Sequence, residues 1–260
     1  MNAQMTSKSN DSVALFVTCL VDMFRASVGF ASLRLLRQAG VAPQAPTAQT
    51  CCGQPAFNQG DQRTARAIAR RVIDAFEPFT QVVVPSGSCG GMLRVHYPAL
   101  LADDARWASR AQRFAAKVWE LSEWLRAHDA ALDVALPSCA AYHHSCSAQR
   151  EMQVFDQPLE LLAQVRDLDI KPLDAPQACC GFGGAFCVKY PDISNRLVSD
   201  KLDDVARQHV EYLVGGDLGC LLNIAGRASR LGMPIKVMHY AEILAGMADE
   251  PGIAQSGPAA

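Results

Sequence analysis

The chain has 260 residues, half of them hydrophobic, and a formal net charge of −2 at pH 7 with a pI near 6.3. This suffices for one large domain or two small ones with a proper core and no need of disulfide staples. The charge balance offers no basic face for nucleic acid, and no run approaches the roughly 20 apolar residues of a membrane span.

Met1 to Ser12 is polar and lacks an apolar run, which predicts no secretory leader. The expected location is cytoplasmic, where thiols stay reduced. Ten cysteines then point to metal binding or catalysis rather than a disulfide framework. Ala14-Leu15-Phe16-Val17 reads as a short strand ending just before Cys19. A helix-compatible stretch from Arg25 to Gln38 follows, stopped by Gly40. Asp61 opens a second helix, to Phe76, with Ala65, Ile68, Ala69, Val72 and Phe76 on one face. Gln81 to Val84 is a buried strand leading into Ser86-Gly87-Ser88-Cys89. The region from Leu101 to Asp133 reads as a helical connector on the stripe Trp107, Phe114, Val118, Leu121 and Leu125.

In the second half, Asn195 to His209 is helical on Leu197, Leu202, Val205 and Val210. Tyr212-Leu213-Val214 is a strand leading into Gly215-Gly216-Asp217. A helix from Leu221 to Leu231, a strand from Ile235 to Met238 and a helix from Ala241 to Met247 complete the pattern. Strands alternating with helices predict an α/β fold, here two pseudo-repeated half-domains with mostly parallel sheets flanked by helices. The expected division is 12–133, the first repeat plus connector, and 134–248, the second repeat, with 1–11 and 249–260 as flexible tails. Ligands of such sheets gather beyond the carboxyl ends of the strands, which is where Cys19, Cys89 and Cys220 fall.

Two cysteine constellations follow one another along the chain. The first is Cys19, Cys51-Cys52-Gly53 and Cys89; the second is Cys146, Cys179-Cys180-Gly181 and Cys220. The first gap is 32 positions in one half and 33 in the other, and the second is 37 and 40. Such self-similarity marks a repeated folding unit, and here the unit carries four thiols each time. Iron–sulfur clusters are commonly held by four thiolates. Zinc also accepts four, but structural zinc sites favour short C-x2-4-C knuckles, and this chain has no C-x-x-C. The donors come from loops far apart in sequence, which suits a larger cluster better. A zinc-stabilised scaffold without redox role, and a thiol–disulfide enzyme acting at a cluster, stand as alternatives.

The pattern resembles the cysteine-rich CCG family, which includes the B subunit of heterodisulfide reductase and iron–sulfur subunits of glycolate and glycerol-3-phosphate oxidation. The resemblance is nearest to the lactate utilisation protein A group. It rests on Phe16-Val17-Thr18-Cys19, Cys51 to Ala56, Pro85 to Cys89 and His144 to Ser147, and further on Cys179 to Gly184, Cys220 to Ile224 and His239 to Glu242. It implies an iron–sulfur electron-transfer subunit that works with a second iron–sulfur protein and a third subunit in oxidising L-lactate to pyruvate. The implied cofactor is a [4Fe-4S] cluster, one or two per chain, with zinc as the alternative in one site. The implied ligands are Cys19, Cys51, Cys52, Cys89, Cys146, Cys179, Cys180 and Cys220. Fuller members end each motif in Cys-x-x-Cys. Here Ser86 and Asp217 stand at the first of those positions, leaving four thiolates per half, and both are read as loop or helix-capping residues.

Cys139 and Cys187 lie off the repeat and read as packing residues. His143 and His144 precede Cys146 and read as hydrogen-bonding or packing neighbours. His239 is read as either cleft-facing or core. Arg25, Arg94 and Arg196 are cationic enough for a carboxylate but read as surface residues. Gly90-Gly91 and Gly183-Gly184 lack side chains and are expected to permit close approach of a partner protein.

Overall fold

The computed structural model describes residues 12–255; the expected tail 1–11, and residues 256–260 of the tail expected at 249–260, lie outside the described residues. The first half runs β1 (Val13–Leu15), α1 (Cys19–Phe24), α2 (Ala26–Gln38), α3 (Gln54–Asn58), α4 (Gln62–Phe76), β2 (Gln81–Val84) and α5 (Gly87–Gly91). A π-helical turn, Met92–His96, then leads through α6 (Tyr97–Leu100) and α7 (Ala108–Ala115) to β3 (Val118–Glu120) and α8 (Leu121–Ala127). The second half runs β4 (Ala135–His143), α9 (Cys146–Arg150), α10 (Gln157–Leu162), β5 (Arg166–Lys171), α11 (Phe186–Lys189) and α12 (Pro191–Arg207). It closes with β6 (Tyr212–Gly215), α13 (Leu218–Arg230), β7 (Lys236–His239) and α14 (Tyr240–Leu244).

Both sheets are parallel, as the alternating pattern predicts. The first has the order β1-β2-β3 and the second β5-β4-β6-β7. The α4 helix begins at its expected cap, with Asp61 Oδ1 accepting from Thr64 N at 3.0 Å. It buries Ala65, Ala69, Val72, Ile73 and Phe76, while Ile68 is only partly covered. In α12, Val198, Leu202 and Val205 form the buried stripe and Leu197 lies beside it.

Two expectations change. The connector is not all helix: Val118 lies in β3, an edge strand paired with β2 from Val82↔Val118 to Val84↔Glu120. Val118 of β3 joins Phe114 in the outer core of the first half, whereas Leu121 and Leu125 of α8 enter the core between the sheets, so residues of separate elements and cores fall by spacing into one apparent helical period. The tail expected from 249 onward is anchored at Ile253, which is 5 % exposed and donates its N–H to Val237 O at 2.9 Å. Its side chain joins the core of the second half.

The first half has an outer core of its own, the outer core of the second half also takes in Val21 and Val28 of the first, and a third core runs between the sheets. That third core joins Leu15, Leu35, Val83 and Trp124 of the first half to Tyr142, Val214, Tyr240 and Ile243 of the second. Polar links reinforce it. Arg25 Nε meets the fully buried Glu242 Oε1 at 2.8 Å, and Tyr240 OH donates to Glu120 Oε1 at 2.6 Å. Arg94 pairs with Glu123 at 2.7 Å. Arg25 and Arg94 are therefore structural, whereas Arg196 is exposed and pairs with Asp200 one turn away. The two repeats form one body with their cysteine-bearing ends together. Gly90 and Gly91, expected at a partner surface, are buried and packed against Met152 and Glu151 of the second half.

Candidate metal centres

Cysteine positions follow directly from the strand ends. Cys19 opens α1 after β1, Cys89 lies in α5 after β2, Cys146 opens α9 after β4, and Cys220 lies in α13 after β6. The Cys-Cys-Gly turns come in from the side. Gly53 and Gly181 adopt the same left-handed conformation, φ +85° and +78°, which a glycine reaches without strain. In both turns that glycine's N–H donates to the first thiol of the pair, Gly53 N to Cys51 Sγ at 3.4 Å and Gly181 N to Cys179 Sγ at 3.3 Å. The carbonyl of the second cysteine is anchored in both halves as well. Tyr97 OH donates to Cys52 O at 2.8 Å, and Asn223 Nδ2 donates to Cys180 O at 2.8 Å.

In the first half, Cys19, Cys51, Cys52 and Cys89 all line one cavity of about 200 Å³. One water-sized sphere needs only roughly 10–15 Å³, so the space suits a polyatomic guest rather than a lone ion. Cys19 Sγ and Cys51 Sγ lie 3.7 Å apart. Thiol hydrogen bonds from Cys19 and Cys52 push the Cys51 pKa down, and those same bonds together with burial push Cys19 and Cys52 up. Thr18 Oγ1 caps α1 by accepting from Val21 N at 3.3 Å, which fixes the backbone at Cys19. Four thiols around such a cavity fit the donor set of a four-iron cluster.

The opposite wall of this cavity belongs to the second half: Phe182, Gly184, Ala185, Asp217, Leu218 and Gly219. Gly219 leaves the room that the Phe182 ring occupies. No local spacing signals that the loop after Cys179-Cys180 closes over the other repeat's cysteines. Asp217 Oδ2 accepts from Ser88 N at 2.8 Å and from Ser86 Oγ at 3.2 Å. Ser86 Oγ in turn accepts from Cys89 N at 3.3 Å. Ser86 thus caps α5, as expected. Asp217 makes no cap bond to its own helix α13 and tethers α5 of the other half instead.

The second half is built differently around its thiols. Cys180 and Cys220 are buried, whereas Cys146 and Cys179 are exposed. His143, the last residue of β4, is 1 % exposed, and its donor atom lies with those of Cys180 and Cys220 inside 4.8 Å of one another. Among the described residues neither ring nitrogen of His143 has a hydrogen-bond partner. Burial, with smaller contributions from Lys201 and His144, pushes its pKa down to about 3, so the imidazole is neutral. His143 is therefore at the site and not a packing neighbour; its partners come from β4, the Cys-Cys-Gly turn and α13, which no local spacing reveals. Lys201, fully buried, donates to Ala175 O at 2.9 Å and to Pro176 O at 3.3 Å. It places a cation near the thiols of Cys180, Cys179 and Cys220.

The remaining candidates lie apart. Cys139 Sγ contacts His209 O at 3.6 Å, and Cys187 Sγ contacts Gly184 O at 3.2 Å. His239 is fully buried and caps α14, its Nδ1 accepting from Ala241 N at 3.1 Å. Among the described residues no helix is long and apolar enough to cross a membrane.

Residues 13–94 and 140–225 match the model of the family described as CCG, cysteine-rich domain. Lactate utilization protein A of Geobacillus kaustophilus is 45 % identical over 236 residues, 89 % of this chain and 98 % of that protein. Lactate utilization protein A of Bacillus cereus strain B4264 is 44 % identical over 234 residues, with the same coverage. Among solved structures, glutamate racemase RacE1 of Bacillus anthracis aligns over 91 % of this chain and 79 % of its own. That alignment has 11 % identity and a TM-score of 0.36, too low to bear on function.

Proposed function

The chain belongs to the lactate utilization protein A group of the cysteine-rich CCG family, and we propose that it is an iron–sulfur electron-transfer subunit of a multi-protein L-lactate-oxidising system. The observation that carries this reading is the cavity lined by Cys19, Cys51, Cys52 and Cys89. These four residues would hold a [4Fe-4S] cluster, which when bound supplies one-electron transfer. The second constellation, Cys146, Cys179, Cys180 and Cys220, forms a second metal site.

Oxidation of lactate to pyruvate releases two electrons and two protons, so a one-electron relay needs partners that supply and remove electrons in turn. A second iron–sulfur protein and a third subunit fill those places, in the cytoplasm. The chain's own residues orient and shield. Gly53 N–H is aimed at Cys51 Sγ, where a donor stabilises a thiolate. Tyr97 and Thr18 fix the backbone on either side, and Phe182 with Leu218 walls the cavity with apolar surface.

Anaerobic purification and reconstitution test the reading. The expected protein is brown, with iron and sulfide near four each per first-half cluster. It should show an electron paramagnetic resonance signal on reduction and no lactate turnover until the partner proteins are added. A colourless protein carrying only zinc would overturn it in favour of a scaffold, and rapid lactate oxidation by the chain alone would make it the catalyst.

A further inference from the structure

The two repeats share a cysteine pattern but differ in what surrounds the thiols. In the first half all four thiols border a cavity of about 200 Å³. In the second, two buried thiols converge with a buried imidazole, their three donor atoms inside 4.8 Å of one another. A tetrahedral ion bonded to sulfur at ~2.3 Å and nitrogen at ~2.0 Å draws its donors to about this spacing. Thiol spacing alone does not separate the halves, because Cys19 Sγ and Cys51 Sγ also lie 3.7 Å apart; the imidazole among the second-half thiols does.

His143 is the decisive residue. Buried polar atoms are almost always partnered, yet both of its ring nitrogens lack a partner. Its backbone is held firmly by β4 in register with β6, His143 opposite Gly215, so the ring cannot turn to solvent. Neutral imidazole is the form that ligates metals, and nitrogen with thiolate is a donor mixture that suits zinc and ferrous iron. No counterpart exists in the first half, where Phe16, Val17 and Thr18 lead into Cys19.

We propose that the second half binds a single divalent cation, Zn²⁺ or Fe²⁺, through a mixed nitrogen–sulfur set in which His143 is a ligand beside Cys180 and Cys220, with an exposed thiol, Cys146 or Cys179, as the fourth. The inference rests on the reading that both cysteine constellations hold metal, and it narrows that reading: the repeat is one of sequence and not of chemistry. The second ion then serves to clamp β4, the Cys-Cys-Gly turn and α13 together, and with them the Phe182 loop that walls the first-half cavity.

The test uses the full chain carrying Cys19→Ser, Cys51→Ser, Cys52→Ser and Cys89→Ser, which removes every thiol of the first site, prepared metal-free under anaerobic conditions and titrated with Co²⁺ as the probe. One Co²⁺ per chain should bind with the visible bands of a tetrahedral thiolate site. Pulsed electron paramagnetic resonance should show coupling to a coordinated nitrogen that changes on ¹⁵N-histidine labelling. Adding His143→Leu should abolish the nitrogen coupling and weaken binding about 100-fold or more, while His143→Cys should restore binding without the nitrogen signal. Should the leucine variant fail to fold, the labelled parent alone decides through presence or absence of the coupling. Bound Co²⁺ without nitrogen coupling, or unchanged affinity in the leucine variant, overturns the inference, as does a parent that takes up no Co²⁺. The cluster reading is judged separately, by the iron and sulfide that the chain with all four of these cysteines intact retains.

Discussion

Ser86 and Asp217 hold equivalent places in the two repeats, three residues before Cys89 and Cys220, and their side chains meet across the boundary between the halves at 3.2 Å. The pair locks the helix bearing Cys89 to the turn bearing Cys220. Equivalent positions touching each other is what a pseudo-two-fold arrangement of the halves requires, and two contacts mirror one another across it, α5 against α9 and α13 against α1; in the first, a Cβ on Gly87 would stand 2.5 Å from Ala148 Cβ.

Asp217→Ala removes the acceptor of Ser88 N–H in a place where Asp217 itself is only 3 % exposed. Leaving a buried donor unpaired costs about 1–3 kcal/mol. Denaturant unfolding of the reduced chain should show that loss, and Asp217→Asn, which keeps an acceptor, should show less. Iron content of the asparagine variant should equal that of the parent. Loss of a cluster's worth of iron would instead make Asp217 a ligand.

Gly181 and Gly53 make a graded pair. Both sit at positive φ, but a Cβ at Gly181 would lie 2.6 Å from the carbonyl oxygen of Ser194, and one at Gly53 would lie 3.2 Å from Ile68 Cγ2. Backbone cannot yield as a side chain can. Both alanine variants should lose about 1 kcal/mol or more for the left-handed conformation. Gly181→Ala should lose clearly more and release metal more readily to a chelator. Equal midpoints in thermal unfolding would contradict the steric argument.

The off-repeat cysteines provide the negative arm. Cys139 sits on β4 beside Glu211 N, which bonds its carbonyl, and its thiol reaches only a backbone oxygen. Cys187 likewise contacts only Gly184 O. Cys139→Ser and Cys187→Ser should leave metal content unchanged. Cys52→Ser should remove about four irons per chain, read by iron and sulfide assay.

The parts legible in the sequence were those with a local signature. The cysteine spacings announced the repeat, and Val82-Val83-Val84 and the α4 stripe announced a strand and a helix. What escaped notice lacked such a signature. The longest strand, β4, reads Ala-Leu-Pro-Ser-Cys-Ala-Ala-Tyr-His and contains no β-branched residue. It is a strand because β5 and β6 flank it on both sides, a tertiary effect overriding propensity. The edge strand β5, Arg-Asp-Leu-Asp-Ile-Lys, is mostly polar and charged, which protects an edge but hides it from a search for apolar runs. His143 was visible only as a histidine near a cysteine, because the thiols it faces arrive from distant loops.

His239 supplies a pH prediction whose sign follows from burial. Its ring is fully buried, with Nε2 unpartnered. Burial pushes its pKa down to about 4, against an opposing pull from Asp217. Unfolded, the same group titrates near 6.5. Between those two values the unfolded chain binds a proton that the folded chain refuses, so stability rises with pH across the window and is lost as pH falls from 6.5 toward 4. The slope is at most about 1.4 kcal/mol per pH unit, amounting to roughly 3 kcal/mol over the whole window. Below about pH 4 both states are protonated and this contribution stops changing. Asparagine at a helix N-cap accepts the same backbone bond and does not titrate, so His239→Asn should fold and keep the α14 cap. Urea unfolding of the metal-free, reduced chain at pH 4.5, 5.5, 6.5 and 7.5 should show a shallower pH dependence in the variant than in the parent, with the two curves parallel above pH 7. Parallel curves throughout would mean that His239 is accommodated as the imidazolium in the folded state, paired with Asp217 of the same half.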